Sequence, residues 1–180
     1  RAQLGDSDAA VLHLEEAIRL DPGFTDAQIE LALTYLGRGE FETAVSQAQN
    51  SLAIDPSSAD AYSVLSMAYS RLGQVNRSDE ALQTAETLAA QSQSTQLLAI
   101  AFWDISDFDR AEIHLLQAGS GLRWVGNHSL SLAALYTARG RLDQALEAIE
   151  QAVAAGAGPV AILERRGDVS IEMADLAGAQ

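Results

Sequence analysis

Cysteine and lysine are both absent from this sequence. Without cysteine there is no disulfide, no thiolate nucleophile and no cysteine-ligated zinc. The absence does not choose a compartment, because a cysteine-free chain folds in cytosol or periplasm alike. All 11 cations are arginine, set against 25 carboxylates, for a formal charge of −14. That surplus argues against nonspecific binding to nucleic acid or an anionic membrane, which needs cations to neutralise phosphate. It suits a soluble protein, with basic partners as one option. Proline is scarce at 3 residues, and no Ser/Gly/Pro-rich or like-charged tract marks a linker or disordered tail. No apolar run approaches the ~20 residues of a membrane-spanning helix, so direct membrane insertion by this segment is not expected. The sequence starts at Arg1 with neither methionine nor a signal-like segment. It is expected to be part of something longer.

What is present is a period. The chain is 180 residues long and 48% hydrophobic, enough to bury a substantial core. Pro22 in "LDPG" and Pro56 in "IDPS" lie 34 residues apart. "LTYLGRGEFETA" at 33–44 is echoed by "AFWDISDFDRA" at 101–111 and "ALYTARGRLDQA" at 134–145. These anchors give repeats at 25–58, 59–91, 92–125 and 126–159, with partial repeats at 1–24 and 160–180. Repeat position 8 then holds Ala32, Ser66, Ala99, Ala133 and Gly167, and position 11 holds Tyr35, Tyr69, Phe102 and Tyr136. Position 20 holds Ala10, Ala44, Ser78, Ala111, Ala145 and Ala179, and position 24 holds Leu14, Ala48, Leu82, Leu115 and Ile149. Small residues let two helices approach closely while aromatics and leucines fill the space beside them. The apolar spacing is helical, in steps of three and four.

The pattern resembles the tetratricopeptide repeat, with repeat 25–58 closest through Leu31, Ala32, Tyr35, Gly39, Phe41, Ala44 and Pro56. The resemblance implies an all-α, right-handed α-solenoid of stacked antiparallel helix pairs, whose first helices line a concave groove. Departures are local: Arg166 replaces a usual leucine, and Ser106 and Ala174 replace the turn glycine. The partial repeat at 1–24 is expected to supply only a second helix, and the one at 160–180 to stop at the start of its second helix. A helix pair cannot bury its apolar face alone, so further repeats, caps or a partner are expected beyond both.

Chemical candidates concentrate in "WDISDFDRAEIH" at 103–114. Asp107 shares its repeat position with Asp6, Glu40 and Asp175, and Asp109 shares its own with Asp8, Glu42 and Asp143. Carboxylates recur there because both positions open a second helix, near free N–H groups and the positive dipole end. His114 repeats His13 and is expected on the solvated convex side. Glu112 sits where Val11, Val45 and Leu146 are apolar, beside Asp79 of the preceding repeat, so a locally acidic stretch is expected. The spacing misses an EF-hand loop, and no His-x-x-x-His, Gly-rich phosphate loop or Gly-x-Ser-x-Gly occurs. No catalytic residue, metal ligand or cofactor is expected, and the chain is read as a non-enzyme. Arg110 and Arg141 are expected to form surface pairs of at most ~1 kcal/mol. The triplets Asn76-Arg77-Ser78 and Asn127-His128-Ser129 are expected to be unused glycosylation motifs.

Carried over by register, the resemblance places Ile29, Leu33, Leu36, Met67, Arg71, Ile100, Trp103, Asp104, Leu130 and Thr137 on the groove. Ser63, Gln96 and Ala134 belong to the same set. Arg71 is its one cation, which disfavours the clamp for a chaperone's C-terminal carboxylate that some family members carry. The apolar stripe suits an amphipathic helix or extended segment, with Trp103 as anchor. Packing of the same residues against neighbouring helices is the competing reading. The expected function is a non-catalytic scaffold that holds a protein or peptide partner. The alternative is an accessory region of a larger enzyme or membrane complex whose chemistry lies elsewhere.

Overall fold

The structure is a computed structural model that describes residues 2–92, 95–118 and 125–178. Among these residues there are ten helices and no strand. They are α1 (Ala2–Leu20), α2 (Thr25–Gly37), α3 (Phe41–Ile54), α4 (Ala59–Arg71), α5 (Val75–Ser92), α6 (Gln96–Asp104), α7 (Phe108–Ala118), α8 (Val125–Ala138), α9 (Leu142–Ala154) and α10 (Pro159–Gly178). The chain forms two compact parts, Arg1–Asp107 and Phe108–Gln180. In the N-terminal part α2 packs on α3 and α4 on α5, each pair stacks on the next, and α6 lies against α4 and α5. In the C-terminal part α8 packs on α9, with α7 against α8 and α10 against both α8 and α9. The architecture is the all-α array of paired helices that the period implies.

Turn chemistry explains why the helices break where they do. Gly39, Gly73 and Gly140 adopt positive φ at repeat position 15. Around each, two backbone bonds close the helix end, as in Gly73 N to Ser70 O at 2.9 Å and Gln74 N to Tyr69 O at 2.9 Å. This is the pairing that satisfies a helix's last carbonyls when one residue turns left-handed. Between repeats a different device recurs. The Asp21 carboxylate accepts from Gly23 N at 3.0 Å, and the Asp55 carboxylate accepts from Ser57 N at 2.9 Å. Each starts a turn through the following proline, and Ser58 then caps α4 by accepting from Ala61 N at 3.2 Å.

Ser106 occupies the same turn position with φ 64°, the one non-glycine residue at positive φ among those described. Its bonds repeat the pattern, Ser106 N to Trp103 O at 2.8 Å and Asp107 N to Phe102 O at 2.9 Å. A β-carbon makes that conformation unfavourable, whereas glycine adopts it freely. Ser106→Gly is therefore expected to stabilise the fold by about 0.5–1 kcal/mol, read as a higher denaturant midpoint with unchanged slope. A lower midpoint would show that the serine side chain contributes something that this turn does not reveal.

The close helix crossings rest on repeat positions 8 and 20. Ala32, Ala44, Ala133 and Ala145 are fully buried. In repeat 59–91 both positions are serine, and the geometry shows the crossing directly: Ser78 Oγ donates to Ser66 O at 2.9 Å and lies 3.1 Å from Ser66 Oγ. The two outermost helices behave differently. α1 runs through Gly5 and α10 runs through Ala174, although both occupy the position at which the interior repeats turn. The expected start of a second helix after Ala174 is therefore replaced by one continuous helix. Alanine has the highest helix propensity and does not favour the left-handed turn.

Candidate functional site

The expected groove residues do not share one environment. Ile29 and Met67 in the N-terminal part, and Leu130 and Thr137 in the C-terminal part, are buried. Thr137 Oγ1 donates to Ala133 O at 2.8 Å within its own helix, and the buried Ser63 does the same to Ala59 O at 2.9 Å. Leu33, Leu36, Trp103, Asp104 and Ala134 are half-buried. Ile100 is 40% exposed, and Arg71 is exposed. The Gln96 side chain falls outside the described residues. Within the N-terminal part access therefore narrows the set to Leu33 and Leu36 on α2, Arg71 on α4, and Ile100, Trp103 and Asp104 on α6, and in the C-terminal part to Ala134 on α8.

Arg71 and Asp104 form an ion pair that joins α4 to α6. Both sit at repeat position 13, one repeat apart, so the stacking of first helices is what brings them together. The carboxylate is shielded, with its side chain 12% exposed, whereas Arg71 is 54% exposed. The pair neutralises a carboxylate that would otherwise sit among Trp103 and Ile100 without compensation.

Outside this face the tyrosines of position 11 show a recurrent arrangement. Arg38 lies over Tyr35 at 5.9 Å, Arg77 over Tyr69 at 4.0 Å, and Arg141 over Tyr136 at 4.6 Å. The first two hydroxyls also reach the preceding second helix: Tyr35 donates to Glu15 at 3.3 Å, and Tyr69 accepts from Gln49 at 3.4 Å. Each arginine comes from the turn or start of the second helix, where it covers the ring face that packing leaves open. The sequence signal for this is an arginine three to eight residues after each tyrosine.

Glu112 belongs to the last of these clusters. It accepts from Arg139 at 3.0 Å and from Arg141 at 2.6 Å, while Arg139 also pairs with Asp109 at 2.8 Å. Glu112 is thus paired with two arginines of the next repeat, and Arg141 makes more than a surface pair. Burial, followed by the Glu112 charge, pushes the Tyr136 phenol above its ordinary value, with Arg141 offsetting part of the rise. The neutral phenol is the form that the fold favours. Its stabilisation is complete below the ordinary value of about 10 and is lost as pH rises through the folded value. Alkaline titration of stability is expected to fall less steeply above that pH in Tyr136→Phe than in the parent. Identical alkaline limbs would remove Tyr136 as the cause.

The remaining candidates resolve as structure. Asp109 lies in the first turn of α7, and Asp107 immediately precedes the helix. Among the described residues no group of three or more His, Asp or Glu side chains could hold a metal ion. His114 is not solvated: it is 8% exposed, whereas His13 is exposed. The reason is that position 23 faces inward in the interior repeats, as the buried Ala81 and Ala148 show. Ser78, the third residue of one glycosylation triplet, is buried in the α4–α5 crossing. In the other triplet Ser129 is buried, and the side chains of Asn127 and His128 lie outside the described residues. Among the described residues no helix is long and apolar enough to cross a membrane.

Ten paired helices among the described residues, with repeating small-residue crossings, define a helical-repeat protein. Tetratricopeptide-repeat profiles match residues 1–61, 59–92 and 128–151. The chain belongs to the tetratricopeptide-repeat family, whose members bind protein or peptide partners, some within larger complexes. A thermophilic repeat protein from Thermus thermophilus is 26% identical, with a TM-score of 0.70 over 96% of this chain and 93% of that one. A repeat protein from Parabacteroides merdae is 14% identical, with a TM-score of 0.66 over 94% of this chain and 66% of that one. YrrB, described as having an unusual peptide-binding site, is 14% identical, with a TM-score of 0.55 over 92% and 86%. The last two likenesses speak for the fold alone. No curated protein matches the sequence at a significant level.

Proposed function

We propose that the chain is a non-catalytic scaffold, and that the first-helix face of its N-terminal part holds a segment of a protein partner. The observation that carries this reading is the exposure of Ile100 at 40% beside the half-buried Trp103 on α6, with the half-buried Leu33 and Leu36 on α2 across the intervening α4. An apolar strip of this kind gains by being covered, at about 25 cal/mol per Å² of apolar area removed from water. Trp103 offers a large, rigid contact of the type that dominates interface energies. The Arg71–Asp104 pair gives the strip a polar border that can fix the register of a bound segment. Met67 contributes packing rather than contact, because it is 3% exposed.

A displayed random-peptide library selected on the chain tests this. Selected peptides are expected to weaken tenfold or more on Trp103→Ala, about 1.4 kcal/mol at least, and on Ile100→Ser, with helicity unchanged by circular dichroism. Peptides that bind both variants as tightly as the parent, or a selection that enriches none, would remove the assignment of this face.

A further inference from the structure

On the first-helix face of the N-terminal part the charges follow the repeat register. Asp26, Ile29, Leu33 and Leu36 succeed one another on α2 in steps of three, four and three, and so share one face of that helix. Asp60 and Arg71 stand at the two ends of the same stripe on α4. Repeat position 2 is therefore a carboxylate in the first turn of both helices, exposed at Asp26 and half-buried at Asp60. α4 packs between α2 and α6, so its stripe belongs to the interior of the array. Arg71 lies about 16 Å further along the helix at 1.5 Å per residue, and there it is paired with Asp104.

The described arginines of this part are engaged away from the carboxylate edge. Arg19 pairs with Glu16, Arg38 with Asp8 and Glu40, and Arg71 with Asp104, while Arg77 donates to Gln74 and Tyr69. One edge of the stripe thus carries negative charge and the other a neutralised pair. The wider field has the sign of the first edge: residues 1–107 hold 16 carboxylates and 5 arginines, a formal −11 of the chain's −14. Such a field draws cations and speeds their encounter with the face. Covering the apolar strip also takes water from Asp26 and Asp60, a cost that an opposite charge on the covering segment offsets.

We propose that the segment held on this face is amphipathic and basic along one flank, with lysines or arginines against Asp26 and Asp60 and apolar side chains over Ile100, Trp103 and Leu33. The inference rests on the reading of this face as the partner-binding one and names the chemistry of its occupant. Packed first helices lie ~8–10 Å apart, so cations that meet both carboxylates are about seven residues apart on a helix, or about three in an extended segment. The opposite flank of the segment is uncharged. Arg71, 54% exposed, repels a cation there, and Asp104 is already paired.

The peptides selected from the displayed library supply the test. They are expected to be net positive, with their cations on one flank, and to bind more weakly as sodium chloride is added. Asp26→Asn combined with Asp60→Asn is expected to weaken them about fivefold, the scale of two exposed ion pairs, with helicity unchanged. Asp79→Asn combined with Glu80→Gln removes the same charge from exposed positions on α5 and is expected to leave binding as it was. Equal weakening by the two double variants would make the attraction a property of the whole acidic part and overturn the assigned edge. Neutral or acidic selected peptides would overturn it too, as would peptides indifferent to the Asp26 and Asp60 changes. In each of those cases a loss on Trp103→Ala leaves the face itself standing. Peptides that ignore Trp103→Ala, or a selection that enriches none, remove the face and this inference with it.

Discussion

Phe102→Ala is expected to destabilise the N-terminal part by about 3–5 kcal/mol, the range for removing a fully buried aromatic ring. Phe102 is fully buried on α6, together with Leu98, Ala99 and Ala101. α6 has nine residues, too few to hold a helix in water without tertiary packing. Its ring stands at repeat position 11, where the described neighbours carry tyrosines whose ring faces are covered by arginine. Phenylalanine at this one position means that the whole side chain is committed to the interior. Domains of this size are held by roughly 5–15 kcal/mol, so the loss consumes a large share of the total. In a repeat array stability is passed between nearest neighbours, and the damage should be graded. Amide exchange is expected to accelerate first in α6, then in α4 and α5, against which it packs, and least in α2. A loss below about 1 kcal/mol, or uniform acceleration, would mean that the ring's site collapses around the cavity and that α6 is held by something else.

The fold was legible because the features that set it are local and repeated. A left-handed turn residue at Gly39, Gly73 and Gly140, an aspartate-proline turn at 21–22 and 55–56, and small residues at positions 8 and 20 each have a chain-local cause. The family resemblance added the pairing of helices, which periodicity by itself leaves open. The candidate site was less legible, since exposure at a groove position depends on the neighbouring first helix. Met67 and Ile100 share repeat position 9, yet one is 3% exposed and the other 40%. Nothing in the local sequence of either distinguishes them, because α6 is shorter than α4 and its surroundings differ. Glu112 failed for a related reason. Its partners Arg139 and Arg141 are 27 and 29 residues away, so an acidic residue in an apolar slot acquires meaning only after the next repeat is stacked on it. His114 could have been read correctly from Ala81 and Ala148 at its own repeat position, a signal that pairing it with His13 alone obscured.

Ala145→Leu is the complementary experiment, and it adds bulk where Phe102→Ala removes it. Ala145 on α9 is fully buried and occupies the crossing position opposite α8, whose Ala133 is also fully buried. Three additional carbon atoms have no space there, so the helices must separate or side chains must leave their rotamers. The expected cost is about 1–3 kcal/mol, measured as a lower denaturant midpoint for the C-terminal part. The control is the serine crossing of repeat 59–91. Replacing Ser66 and Ser78 together with alanine removes both members of a buried hydrogen-bonded pair, and the double variant is expected to stay within about 1 kcal/mol of the parent. Ser78→Ala alone should cost more than the pair, because it leaves the Ser66 hydroxyl without its partner in the interior. If Ala145→Leu were neutral while the double alanine variant were severely destabilised, polarity rather than size would govern the crossing. The opposite result makes small volume the quantity that the repeat register encodes, with serine tolerated only because the Ser78 hydroxyl donates to the Ser66 carbonyl and accepts from the Ser66 hydroxyl.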